Sequence, residues 1–294
     1  MLVLALVALA IALAWPVPRL LARVTTVRRG PRAALVLWQS TAVAAVLAAL
    51  FAAPAAVPWI VGTAPRLQDN WLVVAVAALV TGIVTVRLLI SGDRVGRNLR
   101  SVRRRHRELV DLLATEGDGH TRVLEHPTPT AYCLPGVRRR VVLTQGTIDR
   151  LSPDELEAVM AHERAHLVGR HDLVMEFFTV VHQAVPRFVR SSAALHEVHL
   201  LIEVLADRAA VRRAGVVTTA RAIVGMADGP RPTGTMAIRE STADARARIE
   251  LLEGGPVAGL PGALAATLMY AVSALIVAAP VALLALAYSG FSAG

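Results

Sequence analysis

Long stretches without a charged side chain constrain this chain more than anything else in it. Met1–Pro18, Ala33–Val61 and Gly254–Gly294 carry no Asp, Glu or Arg, and Trp71–Ile90 carries only Arg87, near one end. As a helix, each is long enough to cross a hydrocarbon layer of about 30 Å. A helix in hydrocarbon satisfies its own backbone groups, whereas in water so much apolar length would have to hide in a large core. Four transmembrane helices are expected, at about 1–18, 33–53, 71–90 and within 255–294. The composition agrees: 55% of residues are hydrophobic and the mean hydropathy is +0.54, more apolar than an ordinary soluble domain. Met1–Pro18 lacks the positive leader that a signal peptide places before its apolar stretch, so it reads as an uncleaved anchor.

All 31 basic residues are arginine, against 22 acidic ones, and their placement gives an orientation. Arg19, Arg23, Arg28, Arg29 and Arg32 lie between the first two spans, and Arg94, Arg97, Arg100, Arg103, Arg104, Arg105 and Arg107 follow the third. The loop between spans two and three has only Arg66, with Asp69 nearby. Basic loops stay in the cytoplasm. The expected protein is a multi-pass protein of a bacterial plasma membrane, with both termini outside and the long segment after span three inside. Juxtamembrane arginines serve topology and anionic lipid. Without interleaved aromatics they do not point to nucleic acid as a partner. The single cysteine, Cys133, excludes an intrachain disulfide and a cysteine-rich zinc module.

The fold class expected is mainly α: three membrane helices in 1–91, a cytoplasmic α+β domain with a small sheet in 92–254, and a fourth helix in 255–294. Asp93–Leu113 reads as a charged helix continuing span three. Arg122–Leu124 and Thr130–Cys133 read as strands, and Arg140–Leu143 pairs back across a Pro135-Gly136 turn. Ser152 is an N-cap, Pro153 suits the first helical position and Glu155 completes a capping box, so a helix starts there. His171–Val189 reads as an ordinary core helix, Ser192–Arg213 and Ala243–Leu252 as helices, and Gly229–Gly234 as a Pro/Gly loop.

Inside the capped helix lies His162-Glu163-Arg164-Ala165-His166. Residues i and i+4 share a helix face, so both imidazoles point at one spot with a carboxylate beside them. That suits Zn2+ held by two histidines, with Glu163 ready to take a proton from water. A catalytic zinc site needs a third protein ligand. Glu203 is favoured because Asp207, one turn on, is placed to accept the free N–H of a metal-bound histidine. His171, Asp172, His196, Glu197 and His199 compete for the role.

The pentad together with Glu203-x-x-x-Asp207 resembles the gluzincin pattern of integral-membrane metallopeptidases. Ala131–Gly136 and Val141–Gly146 are similar to their edge strand and the approach to their active-site helix. Two families share this core: BlaR/MecR-type antirepressor peptidases and HtpX-type quality-control peptidases. Three spans before the catalytic domain and one after it resemble the BlaR/MecR type, but the penicillin-binding sensor domain of that type is not in this sequence. An inducing signal is then expected from a separate sensor protein or through the membrane helices.

The resemblance implies a zinc endopeptidase with His162, His166 and Glu203 as ligands, Asp207 behind them and Glu163 as general base. Its substrate would be a cytosolic protein, by resemblance a winged-helix repressor, bound as an added strand along Thr130, Ala131, Tyr132 and Cys133. Two alternatives remain: quality-control proteolysis, and a non-enzymatic membrane scaffold with a structural zinc site.

Overall fold

The computed structural model describes residues 1–58, 65–116, 120–136, 139–186, 190, 192–226, 242–252 and 260–292. The Gly229–Gly234 loop lies outside the described residues. The chain divides into two compact units. Unit one comprises Met1–Asp93, Phe178–Glu197 and Val257–Gly294; unit two comprises Arg94–Phe177 and Val198–Pro256.

In unit one, α1 (Leu2–Ala14) ends at Trp15, and Pro16 opens α2 (Pro16–Leu21). A proline has no N–H to donate, so it starts a helix better than it continues one. A 3-10 turn over Thr25–Arg29 leads to α3 (Pro31–Phe51), again begun by proline. Unit one also holds the first part of α4 (Pro65–Leu113) and, at the chain's end, α11 (Gly262–Ser292). Helices α1 and α11 pack along α3. Their shared core is built on small side chains (Ala10, Ala48, Ala49 and Ala52) beside Val3 and Leu6. Small residues let helix axes approach where the hydrophobic effect cannot drive association. Thr81 of α4 adds a polar clasp: its hydroxyl donates to the Ala49 carbonyl at 2.8 Å and accepts from Ala53 N–H at 3.1 Å.

The outward faces are apolar: Leu4, Ile11, Leu79, Leu89, Leu275 and Leu286 are all exposed. Among the described residues, four helical stretches are long and apolar enough to cross a membrane: Leu2–Leu21, Pro31–Phe51, Trp71–Leu113 and Gly262–Ser289. Such faces are costly in water and free of cost in lipid, which marks a membrane protein.

In unit two, α4 runs on to Leu113 and leads into a four-stranded mixed sheet. The strands are β1 (Ala114–Glu116), β2 (Thr121–Leu124), β3 (Ala131–Leu134) and β4 (Arg140–Thr144), in the order β1-β2-β4-β3. β2 pairs parallel to β4, and β3 pairs antiparallel to β4 with Tyr132 opposite Val142. Gly136, after β3, has φ 137°, a conformation open to glycine and strained for other residues. β1 had no signal in the sequence, since three residues of Ala-Thr-Glu show neither alternation nor β-branched enrichment.

After β4 come α5 (Gln145–Arg150), α6 (Pro153–Val168), α7 (His171–Ala184), α8 (Ser192–Ala214), α9 (Val216–Met226) and α10 (Thr242–Leu251). α6 packs on β3, β4 and α9, around a core of Ala131, Val141, Leu143, Ala158, Val159, Ala210 and Ala222. The helix expected at His171–Val189 is observed over His171–Ala184, and 187–189 lie outside the described residues.

Candidate metal centre

Helix α6 starts as its sequence predicts. Ser152 N–H donates to the Glu155 carboxylate at 2.9 Å, Glu155 N–H donates back to the Ser152 hydroxyl at 3.4 Å, and Pro153 takes the first turn. This cap fixes the helical register, and the register puts Ala158, Val159, His162, Glu163 and His166 on the buried face.

The three predicted ligands converge. His162 Nε2 and His166 Nε2 are 3.0 Å apart. The Glu203 carboxylate lies 3.5 Å from each of them, through Oε2 to His162 and Oε1 to His166. Tetrahedral zinc with bonds of about 2.0–2.1 Å holds its ligand atoms roughly 3.3 Å from one another. The three separations bracket that value, so the donor set fits zinc in both chemistry and spacing. Among the described residues this is the one group of three such side chains able to hold a metal ion.

Behind each histidine stands an orienting partner. His162 Nδ1 donates to Asp207 Oδ1 at 2.9 Å, which leaves Nε2 turned towards the ligand cluster. His166 Nδ1 lies 3.0 Å from His171 Nδ1, with the two rings edge-on at 87°. His171 therefore sits behind His166, on the nitrogen that faces away from the cluster, and does not compete as the third ligand. The turn between α6 and α7 is shaped for this. Gly169 leaves room that the His171 ring fills, and Arg170 takes φ 48°, a left-handed conformation that costs a non-glycine residue about 1–2 kcal/mol.

The other candidates have different partners. Asp172 faces Arg103 at 3.5 Å, and Glu197 is taken by Arg28 through a bidentate pair. His196 is exposed. His199 is buried, 3.8 Å from Glu203 Oε1.

Arg248 of α10 is the residue that sequence reasoning missed. It is 4% exposed and donates to both oxygens of Asp207, from Nε at 2.7 Å and from a terminal nitrogen at 2.5 Å. Its other terminal nitrogen is 3.1 Å from Glu203 Oε2. The helix it lies on was legible, but nothing in Ala243–Leu252 distinguishes Arg248 from Arg246, which pairs with Glu250 on the exposed side.

The electrostatics follow from burial and these partners. Burial raises the Glu203 carboxyl, but Arg248 and the two histidines outweigh it and hold the group well below its usual range. Asp207 is lowered in the same way, Arg248 outweighing burial. Burial lowers His162, yet its bonds to Asp207 and Glu203 prevail and raise it to about 9. His166 is pushed well below 6.5, and His171 to about 4, mainly by burial. The site thus holds two ionised carboxylates, a neutral His166 and a His162 that attracts positive charge.

Glu163 is buried and lines a small cavity of about 40 Å³ with His162, Asp207, Arg248 and an apolar wall that includes Ala158, Ala210 and Ile223. Ala131 of β3 lines the same cavity.

β3 forms one edge of the sheet, with a bonding pattern that leaves little to a substrate at Thr130. That residue's N–H donates to the Thr144 and Thr147 hydroxyls and its carbonyl accepts from Thr144 N–H at 3.0 Å. By the antiparallel alternation, Tyr132 bonds inward to β4, while the main-chain groups of Ala131 and Cys133 point to the free edge. Tyr132 also holds His106 Nε2 through its hydroxyl at 2.8 Å. All four residues, Thr130 to Cys133, are buried. Burial above all, with Glu163, Asp172 and Glu203 adding to it, pushes the Cys133 thiol up, so it stays protonated and unreactive.

No curated protein and no solved structure matches the chain. A family model described as peptidase family M48 matches residues 97–267, more than half of the 294 residues. With that match and a two-histidine, one-glutamate donor set, the chain belongs to peptidase family M48, whose members are zinc-dependent metallopeptidases.

Proposed function

We propose that the protein is a membrane-anchored zinc endopeptidase that cleaves a cytosolic protein, and that its substrate is a transcriptional repressor. The observation that carries the hydrolytic reading is the spacing of His162, His166 and Glu203 at tetrahedral distances, with Glu163 at the wall of the adjoining cavity.

His162, His166 and Glu203 would hold the metal. Bound there, zinc supplies Lewis acidity towards the scissile carbonyl and lowers the pKa of water towards about 7. Glu163 takes the proton from the attacking water and returns it to the leaving amine. Asp207 fixes the tautomer of His162, and Arg248 keeps Asp207 ionised. The substrate backbone adds along the Ala131 and Cys133 edge of β3. That edge is covered, so binding begins by uncovering it.

The regulatory reading is supported by the order of the candidate spans, three before most of the family-matched residues and one at their end, and by arginine clusters of the kind that favour the cytoplasmic side. A quality-control protease is the other outcome, and it would cleave unfolded chains broadly.

The test is Glu163→Gln in purified full-length protein, measuring zinc content and proteolysis together. Retained zinc with cleavage reduced at least 100-fold supports the assignment, at the scale general-base catalysis contributes. Cleavage at the wild-type rate ends the assignment of Glu163 as general base, and a wild type that binds zinc without cleaving leaves a structural site.

A further inference from the structure

Within unit one an elongated apolar cavity of about 420 Å³ lies among α1, α3, α4 and the end of α7. Along α3 its wall runs from Trp38 to Ala49, with Ala45 between them, a stretch of about 16 Å at the helical rise per residue. Half of a hydrocarbon layer of about 30 Å is nearly the same length. The cavity therefore has the reach of one leaflet, and its aliphatic wall, including Val7, Ala10, Ile83 and Val84, suits a single alkyl chain.

The charged residues of its lining converge on one place. Arg87, the one charge of the third apolar run, donates to the carbonyls of Ala184 and Val185, and Arg190 donates to those of Gln183 and Val185. Carbonyls orient a guanidinium without cancelling its charge, so the two cations keep a demand for an anion. Trp15, also in the lining, closes α1 and carries Arg19 at 5.5 Å from its ring. Tryptophan and arginine together are the signature of headgroup depth.

We propose that this cavity is a binding site for one anionic glycerophospholipid, an acyl chain filling the groove and the headgroup phosphate lying on Arg87 and Arg190. The inference rests on the four apolar helices crossing a bilayer, and it is independent of the zinc site. An arginine at the end of a span that lines an apolar groove is expensive in hydrocarbon. A phosphate offsets that cost, and a zwitterionic lipid offsets it less because its own cation repels the pair.

The test uses the full chain in detergent micelles given equimolar dioleoyl phosphatidylglycerol and dioleoyl phosphatidylcholine, with bound lipid read by native mass spectrometry. Wild type retains phosphatidylglycerol preferentially. Arg190→Gln and Arg87→Gln each reduce that preference about fivefold. Ala45→Phe, which fills the groove without touching the cations, abolishes retention of both lipids while the helical circular dichroism is unchanged. Equal retention of the two lipids by wild type, or undiminished preference in the double glutamine variant, overturns the proposal. Displacement of phosphatidylglycerol by stoichiometric oleate would do so as well, since it would make a fatty carboxylate the occupant.

Discussion

Gly169→Ala is the sharpest probe of how this metal centre is held. Gly169 caps α6 with φ −73°, which alanine adopts freely, so the backbone gives no reason for harm. The added Cβ, however, lands 2.4 Å from His171 Nε2 and 2.7 Å from its Cδ2, and contacts under about 3 Å do not persist. The ring is buried and held 3.0 Å from His166 Nδ1. Relieving the clash moves it by roughly 1 Å, enough to break a hydrogen bond of that length. His166 then loses the acceptor that fixes its tautomer and ring plane. Loss of such an outer partner weakens metal binding about 10–100-fold, or roughly 1.4–2.7 kcal/mol. The assay is a zinc competition titration against a chelator. His171→Leu should lose affinity to the same degree, and His171→Asn, whose amide oxygen accepts the same N–H, should recover part of it. Adding Gly169→Ala to His171→Leu should cost nothing further, because the two act through one contact. Wild-type zinc affinity in Gly169→Ala would refute the reasoning, as would an equal further loss in the double variant.

Other expectations follow from the same geometry. Arg248→Met strands Asp207 and Glu203 as buried carboxylates without their cation, and should destabilise the protein by about 3–5 kcal/mol in denaturant titrations; Arg248→Lys rescues little, because it cannot reproduce the bidentate grip on Asp207. Burial lowers His162, but its carboxylate partners hold it up to about 9, so at pH 7 zinc must displace its proton. Zinc affinity should therefore rise about tenfold per pH unit from pH 7 and flatten above pH 9, and a flat profile across that window would contradict the placement of Asp207 and Glu203. Ala158→Leu fills the small cavity beside Glu163, and should abolish peptide cleavage while leaving zinc stoichiometry at one per chain.

The parts of this protein that were legible in its sequence are those encoded locally. Charge-free length announces a span, Ser152-Pro153-x-Glu155 announces a helix start, and i, i+4 histidines announce a shared face. Glu203 was legible at one remove, through its own i+4 carboxylate. Arg248 and His171 were not, because their roles exist only after folding. Arg248 reaches Asp207 across 41 positions of sequence, and no spacing rule covers that distance. His171 was visible as a histidine near the pentad, but the sequence could not show that the Gly169-Arg170 turn reverses it onto the far nitrogen of His166. The strand edge shows the same limit: the pattern of Thr130–Cys133 predicts a strand, while the commitment of the Thr130 backbone to Thr144 and Thr147 depends on a turn folded elsewhere.

The charge balance around α6 argues for a cation independently of the distances. Burial disfavours every charged group here, and a site built only for stability would leave both histidines neutral and Glu203 protonated. His166 follows that rule, but His162 and Glu203 do not. Arg248 is bonded to both oxygens of Asp207, and through its other terminal nitrogen, 3.1 Å from Glu203 Oε2, it is also the strongest single pull keeping Glu203 ionised. Arg248 reaches one Glu203 oxygen, and both oxygens face imidazole nitrogens at 3.5 Å, so further positive charge among them is favoured. A proton on His162 supplies it in part, binding one nitrogen of the cluster. A dication supplies all of it at once, drawing on both nitrogens and the carboxylate and leaving Nδ1 of His162 to Asp207. Removing Glu203 should therefore do more than delete one ligand: without its carboxylate the pull on His162 weakens, its pKa falls back towards neutrality, and the site loses its preference for cations as well as one bond to the metal.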